Sequence, residues 1–202
     1  MMGGGPMSIS NQLDAVMVAR LRARDPETLA TAVHDHARTL YRAARGMGFQ
    51  KTEAEDLVQD VFTTFLETLD RFEGRSPVRT WLFGILHRKV LERRREQYRE
   101  EQYDPIDDVF ESRFDTRGNW VRPPQDLQRL LESKEIGVAI AGCLEGLPSA
   151  QREVFVLREM ESLATAEICK ILGVTVTNMG VLIHRARNRL RECIEARGWS
   201  RQ

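Results

Sequence analysis

The stretch from Thr52 to Arg99 changes character twice, and any fold must accommodate both changes. Thr52 and Glu55 stand at capping-box spacing, with Glu53, Glu55 and Asp56 near the positive end of a helix dipole. Leu57, Val61, Phe65 and Leu69 then recur at helical spacing, flanked by Val58, Phe62 and Leu66. That stripe is wider than a surface helix needs, which predicts a central helix packed on more than one neighbour. The helix should end near Asp70, because the segment from Phe72 to Pro77 holds Gly74 and Pro77 as breakers. A second helix should follow, with Ser76 as N-cap and Pro77 in its first turn, where a missing N–H costs nothing. Val78, Trp81, Leu82, Ile85 and Leu86 give it an apolar side; His87, Arg88, Lys89, Arg93, Arg94 and Arg95 then make it basic. Such a helix behind an aromatic suits nucleic acid, since charge holds phosphate and a ring can stack on a displaced base. The plainer reading is an amphipathic hairpin with a solvated basic face.

Charge is segregated along the chain. Its 202 residues carry 30 acidic and 30 basic side chains and a net charge of zero, unlike a simple nucleic-acid coat protein. Basic clusters lie at 87–99 and 185–191, and acidic ones at 53–60 and 100–115. Two kinds of surface follow, one for DNA and one for something else. At 42% hydrophobic and 30% charged, the chain has material for one or two cores. No apolar run approaches the ~20 residues of a membrane span, and no secretory apolar segment is seen, so a cytoplasmic location is expected. Cys143, Cys169 and Cys193 are odd in number and form no CxxC, which fits a reducing compartment. All three read as small buried hydrophobes; a metal or thiol switch is the sharper alternative, but no His lies at ligand spacing.

The rest of the chain reads as helices around a break. Leu13 to Arg24 is helical, and Asp25 and Pro26 start another helix carrying Leu29, Val33, Ala37, Leu40 and Tyr41, ending at Gly46-Met47-Gly48. His34 and His36 point to opposite faces and are read as solvated. Four helices thus span 11–99, behind a tail at 1–10. Residues 100–133 are acidic and Pro-containing with no periodicity, and read as a linker to which Phe114 and Trp120 add aromatic anchors. A second helical domain spans 134–198. In it Ile136, Ile140, Cys143, Leu144 and Leu147 share a face, Ser149 caps the next helix, and Val154, Phe155 and Leu157 point inward. Leu163, Ile168 and Leu172, the turn Gly173-Val174-Thr175, and a basic helix from Val176 then form a helix-turn-helix pattern. The fold class is all-α, two helical domains joined by an acidic linker.

Two sets of motifs resemble one family. AEDLVQDVF, LDRFEGRSPVRTWLFGIL and the basic helix after them are similar to the second conserved region of bacterial sigma-70-family factors, in the compact form of the extracytoplasmic-function group. GLPSAQREVFVLRE and HRARNRLRE resemble the fourth region of the same family, in the right order. The resemblance implies a non-enzymatic factor that binds the β and β′ subunits of core RNA polymerase, reads promoter DNA at two elements and starts transcription. It implies no cofactor, metal or small-molecule substrate, and an anti-sigma protein as a further partner. Asp56, Gln59, Asp60 and Leu66 match positions that touch polymerase. Phe72, Arg75, Ser76, Arg79, Thr80, Trp81, Arg88 and Lys89 match the loop and helix at the melted −10 element, where a flipped base is captured. The family usually has Asn and Asp where this chain has Arg88 and Glu92. Thr177, Asn178, Gly180, Val181, His184, Arg185 and Arg187 match the −35 reading helix. Many members carry basic or hydroxyl side chains where Gly180 and Val181 stand, so readout here leans on His184, Arg185 and methyl contacts to thymine.

Two other readings use the same residues. A stand-alone helix-turn-helix regulator would leave the Asp56–Leu69 helix without a role, and co-purification with polymerase core separates it. An interaction module with incidental DNA contact is separated by comparing gel shifts of the protein alone and with polymerase.

Overall fold

The computed structural model describes residues 9–97 and 134–197. Residues 1–8 of the tail, the acidic linker, Phe114 and Trp120 lie outside them, whereas Ile9 and Ser10, read as tail, are helical. Among the described residues every element is helical, and they divide into two compact units, the first holding the residues up to Arg45 with Phe49–Arg94, the second Gly46–Gly48 with the residues from Arg95 on. The all-α expectation holds.

The first unit comprises α1 (Ile9–Arg22), α2 (Pro26–Gly46), α3 (Lys51–Thr68) and α4 (Val78–Gln97), with a 3-10 turn at Leu69–Arg71. Asp25 caps α2 as its sequence suggests: its carboxylate accepts the Thr28 hydroxyl at 2.6 Å and the Thr28 N–H at 3.0 Å. Those bonds hold the Asp25 carboxyl below its ordinary range. The start of α3 is a correction. Glu53, not Glu55, reaches back, accepting the Gln50 N–H at 2.7 Å, so the helix begins before Thr52. Glu55 is left exposed. The start of α4 shifts too. The Pro77 carbonyl accepts the Trp81 N–H at 3.1 Å, which makes Pro77 the cap rather than Ser76.

The wide stripe on α3 has the expected consequence. Leu57, Val61, Phe65 and Leu69 are buried, together with Leu21 of α1, Leu40 of α2, and Leu82, Ile85, Leu86 and Val90 of α4. Each fully buried side chain of this size contributes roughly 1.5–3 kcal/mol from burial.

The second unit comprises α5 (Lys134–Glu145), α6 (Ser149–Phe155), a π turn (Val156–Met160), α7 (Thr165–Leu172) and α8 (Val176–Ala196). Pro148, not Ser149, caps α6, its carbonyl accepting the Arg152 N–H at 2.9 Å. The Arg152 guanidinium folds back onto the carbonyls of Glu145 and Leu147, the latter at 3.0 Å, satisfying the end of α5. Ile140, Leu144, Leu147, Val154, Phe155, Leu157, Ile168, Ile183, Leu190 and Ile194 are buried.

Cysteine requires a further correction. Cys143 and Cys193 are joined in a disulfide, with Cα atoms 5.8 Å apart, and only Cys169 is free. Packing of α5 on α8 brings together two residues 50 positions apart, a pairing that local spacing cannot express.

Candidate nucleic-acid and polymerase interfaces

The exposed side of α3 is the complement of its buried stripe. Asp56, Gln59 and Leu66 face outward, and Leu66 is 36% exposed, a large apolar side chain with no core to fill. Asp60 differs from its predicted companions. Its carboxylate accepts a bond from Arg93 of α4 at 2.8 Å, so it ties the two helices together.

The loop between α3 and α4 depends on Gly74. Its φ is +70°, in the left-handed region, and a Cβ there would lie 2.6 Å from Cγ2 of Val18 on α1. Of the residues predicted at the −10 element, two belong to the core instead. Phe72 is 1% exposed and Thr80 is 4% exposed. Phe72 packs edge-on against Trp81, ring centroids 5.5 Å apart, because an aromatic just after α3 lies over the seam with α4. Its ring is therefore not offered to a base. Arg75 is exposed and ion-paired with Glu73, and Ser76 is partly exposed. The Arg79 guanidinium lies over the Phe83 ring at 5.5 Å. It also adds to burial in lowering the proton affinity of His36, which is half-covered rather than solvated. Exposed His34 contacts Asp35 at 3.2 Å.

Trp81 is half-buried, with its indole Nε1 covered and no hydrogen-bond partner among the described residues. One turn on is Gly84, not singled out in the sequence, with open space where a side chain would begin. Arg88 follows on the same face and is exposed. Aromatic, bare backbone and guanidinium thus form a strip along α4. Lys89 bonds Glu92 at 3.0 Å, and Arg94 lies 5.9 Å over Phe49. Much of the basic run therefore braces the unit.

In the second unit α7 and α8 turn through 98° about Gly173, whose φ of +67° closes α7 in the left-handed conformation. Thr175 caps α8, its hydroxyl accepting the Asn178 N–H at 3.2 Å. Val176, Thr177, Asn178, Gly180 and Val181 are exposed at the start of α8. Val176, missed in the sequence, is 64% exposed; the clue was an apolar residue placed directly after a cap. His184 and Arg185 are partly buried, and both ring nitrogens of His184 are covered. Burial, followed by Arg187, Arg185 and Arg191, lowers the His184 pKa to about 4, so the ring is neutral near pH 7. Arg187 turns back to the π turn, where Glu159 accepts from its Nε at 3.2 Å and from its Nη2. Arg191 reaches Asn188 at 3.5 Å and Glu195 at 3.9 Å. No group of His, Cys, Asp and Glu among the described residues is arranged to hold a metal, and no single helix there is long and apolar enough to cross a membrane.

Residues 32–100 match the family description Sigma-70 region 2, and residues 137–190 match Sigma-70, region 4. A "Probable RNA polymerase sigma factor" of Haemophilus influenzae is 33% identical over 149 residues, 70% of this chain and 76% of that protein. CnrH of Cupriavidus metallidurans is 28% identical over 186 residues, 91% of this chain and 95% of its own. The solved structure of CnrH in complex with the cytosolic domain of CnrY matches with a TM-score of 0.64 at 27% identity, covering 91% of this chain and 97% of that one. The "ECF RNA polymerase sigma-E factor" of Escherichia coli is 27% identical over 135 residues, 67% of this chain and 70% of its own.

Proposed function

This chain belongs to the sigma-70 family of RNA polymerase sigma factors, in its extracytoplasmic-function group, and directs transcription initiation; from that premise we propose which surfaces carry the work. Asp56, Gln59 and Leu66 dock on core polymerase. Their shared exposed face on α3 supports this, since acidic and amide groups around an apolar side chain suit a basic partner. Asp60 takes part through its pair with Arg93, orienting α3 on α4 rather than standing free.

The melted −10 strand lies along α4 and the loop before it. Arg75, Ser76 and Arg79 hold phosphate, Trp81 gives an aromatic edge, and Gly84 lets the strand approach closely on its way to Arg88 and Lys89. The start of α8 reads the −35 element in the major groove. Thr177, Asn178, Gly180 and Val181 meet base edges, with Arg185 further along, while Arg187 anchors α8 through Glu159. His184 stays neutral and packs under this surface. The protein carries out no chemical step of its own and uses no cofactor. CnrH is solved with a second protein, the cytosolic domain of CnrY; a similar anti-sigma partner here would compete with polymerase for the first unit. The reaction takes place with polymerase, in the cytoplasm.

The observation that carries this reading is the exposed, capped start of α8 set at 98° to α7, in a chain whose other unit has an acidic-apolar face. The test is core pull-down with the Asp56→Lys, Gln59→Lys double variant, which spares the Asp60–Arg93 pair. Core binding should fall at least tenfold with an unchanged melting temperature. Unaltered binding by the folded variant removes this face from the polymerase interface.

A further inference from the structure

The Cys143–Cys193 bond has no part in docking or promoter reading as assigned above. It joins α5 to α8, with a Cα separation of 5.8 Å, inside the range a disulfide spans. The loop it closes contains α6, the π turn, α7 and the whole DNA-facing part of α8. The two cysteines differ in access. Cys143 is 3% exposed among Ile140, Leu144 and Leu147, whereas Cys193 is partly exposed beside buried Ile194. Thiolate is the attacking species in disulfide exchange. The surrounding seam is apolar on both helices, so it can pack with or without the bond. Where a genome is transcribed, disulfides are rare, and those that form are usually transient or redox-sensing.

We infer that Cys143 and Cys193 form a reversible thiol–disulfide modification site that, when oxidised, holds α8 in its DNA-reading seat. This rests on the assignment of α8 to the −35 element. The oxidant is a small-molecule disulfide. The Cys193 thiolate attacks one of its sulfurs, forming a mixed disulfide and releasing one thiolate. The Cys143 thiolate then attacks Cys193 Sγ and expels the second. Two electrons pass to the oxidant, and its two thiolates take up the two protons the cysteines lose. A dithiol reverses both steps and is itself oxidised to a disulfide. Cys193, the accessible sulfur, is the entry point in each direction.

The full-length chain is equilibrated across ratios of oxidised to reduced glutathione, its reactive thiols are counted by alkylation and mass, and each form is assembled with core polymerase. Three thiols should react in the reduced chain and one, Cys169, in the oxidised chain. Oxidation should raise the melting temperature by on the order of 10 °C. Oxidised holoenzyme should initiate several-fold better than reduced at a −35-dependent promoter, and equally well at one carried by its −10 element alone. Cys169→Ser should respond like wild type. Cys143→Ala keeps a small apolar side chain; it should retain its helical circular dichroism and lose the redox response, which also removes any effect of glutathione on core. Three reactive thiols at every ratio would overturn the proposal, as would equal initiation by both forms with −35 dependence intact. No −35 dependence in either form would instead overturn the promoter assignment and the DNA-seating step, while the thiol count still judges the modification site.

Discussion

Neighbouring arginines on α8 have different work because their surroundings differ. Arg187 is half-enclosed and held by Glu159, whereas Arg185 sits one turn beyond the exposed Val181. An arginine fork on guanine discriminates by ~1–3 kcal/mol, so Arg185→Ala should relax preference at one −35 base pair by roughly tenfold. Arg187→Ala should leave base preference and salt dependence alone and lower the melting temperature, because it strands the Glu159 carboxylate. A randomised −35 library transcribed at two salt concentrations checks both; uniform loss with Arg185→Ala would make that residue a phosphate contact. His184 supplies a pH test. Its folded pKa is about 4, against about 6.5 for a free imidazole. The unfolded chain therefore binds the extra proton between those values. This contribution is complete above about pH 6.5, shrinks as pH falls toward about 4, and levels off below. The melting temperature of the second unit should drop between pH 7.5 and pH 5, and His184→Gln should drop less. Equal drops would place the titrating group elsewhere.

Turns decide where helices can go. Gly74 meets two demands at once, a left-handed backbone and close approach of Val18. Gly74→Ala should destabilise the first unit by about 1–3 kcal/mol, from backbone conformation and the methyl contact together. Val18→Ala relieves only the second part, so the double variant should recover part of the loss in urea denaturation. Full additivity would mean that the methyl contact contributes nothing. Gly173 acts on direction instead. Its left-handed turn sets the 98° angle that lets α8 project while α7 stays packed through Ile168.

At the scale of the whole molecule, charge balance separates a polymerase-dependent reader from a free regulator. The chain has zero net charge, and much of its basic surface is internally paired, including Arg93 with Asp60 and Arg187 with Glu159. Its counterion release on duplex DNA alone should be small. The isolated protein should therefore give no gel shift at about 150 mM salt, whereas the holoenzyme should bind promoter DNA there. A specific shift by the protein alone would favour the stand-alone helix-turn-helix alternative.

Features that follow local rules were legible in the residues alone. The apolar period placed α3 and α4, the Gly and Pro breakers placed the loop between them, and the order of the two motif sets pointed to the family before any coordinate. Caps were legible only to within two residues, because Thr52 and Gln50 both have a Glu three positions on and only packing selects between them. Only the tertiary fold reveals which surface-type residues are used within the protein: Phe72 and Thr80 are buried, and Asp60 and Arg187 are ion-paired to neighbouring elements. It also decided the Cys143–Cys193 bond. Pairing across 50 residues depends on how α5 lies on α8, and a periodic pattern records which face of a helix is apolar but not which helix covers it.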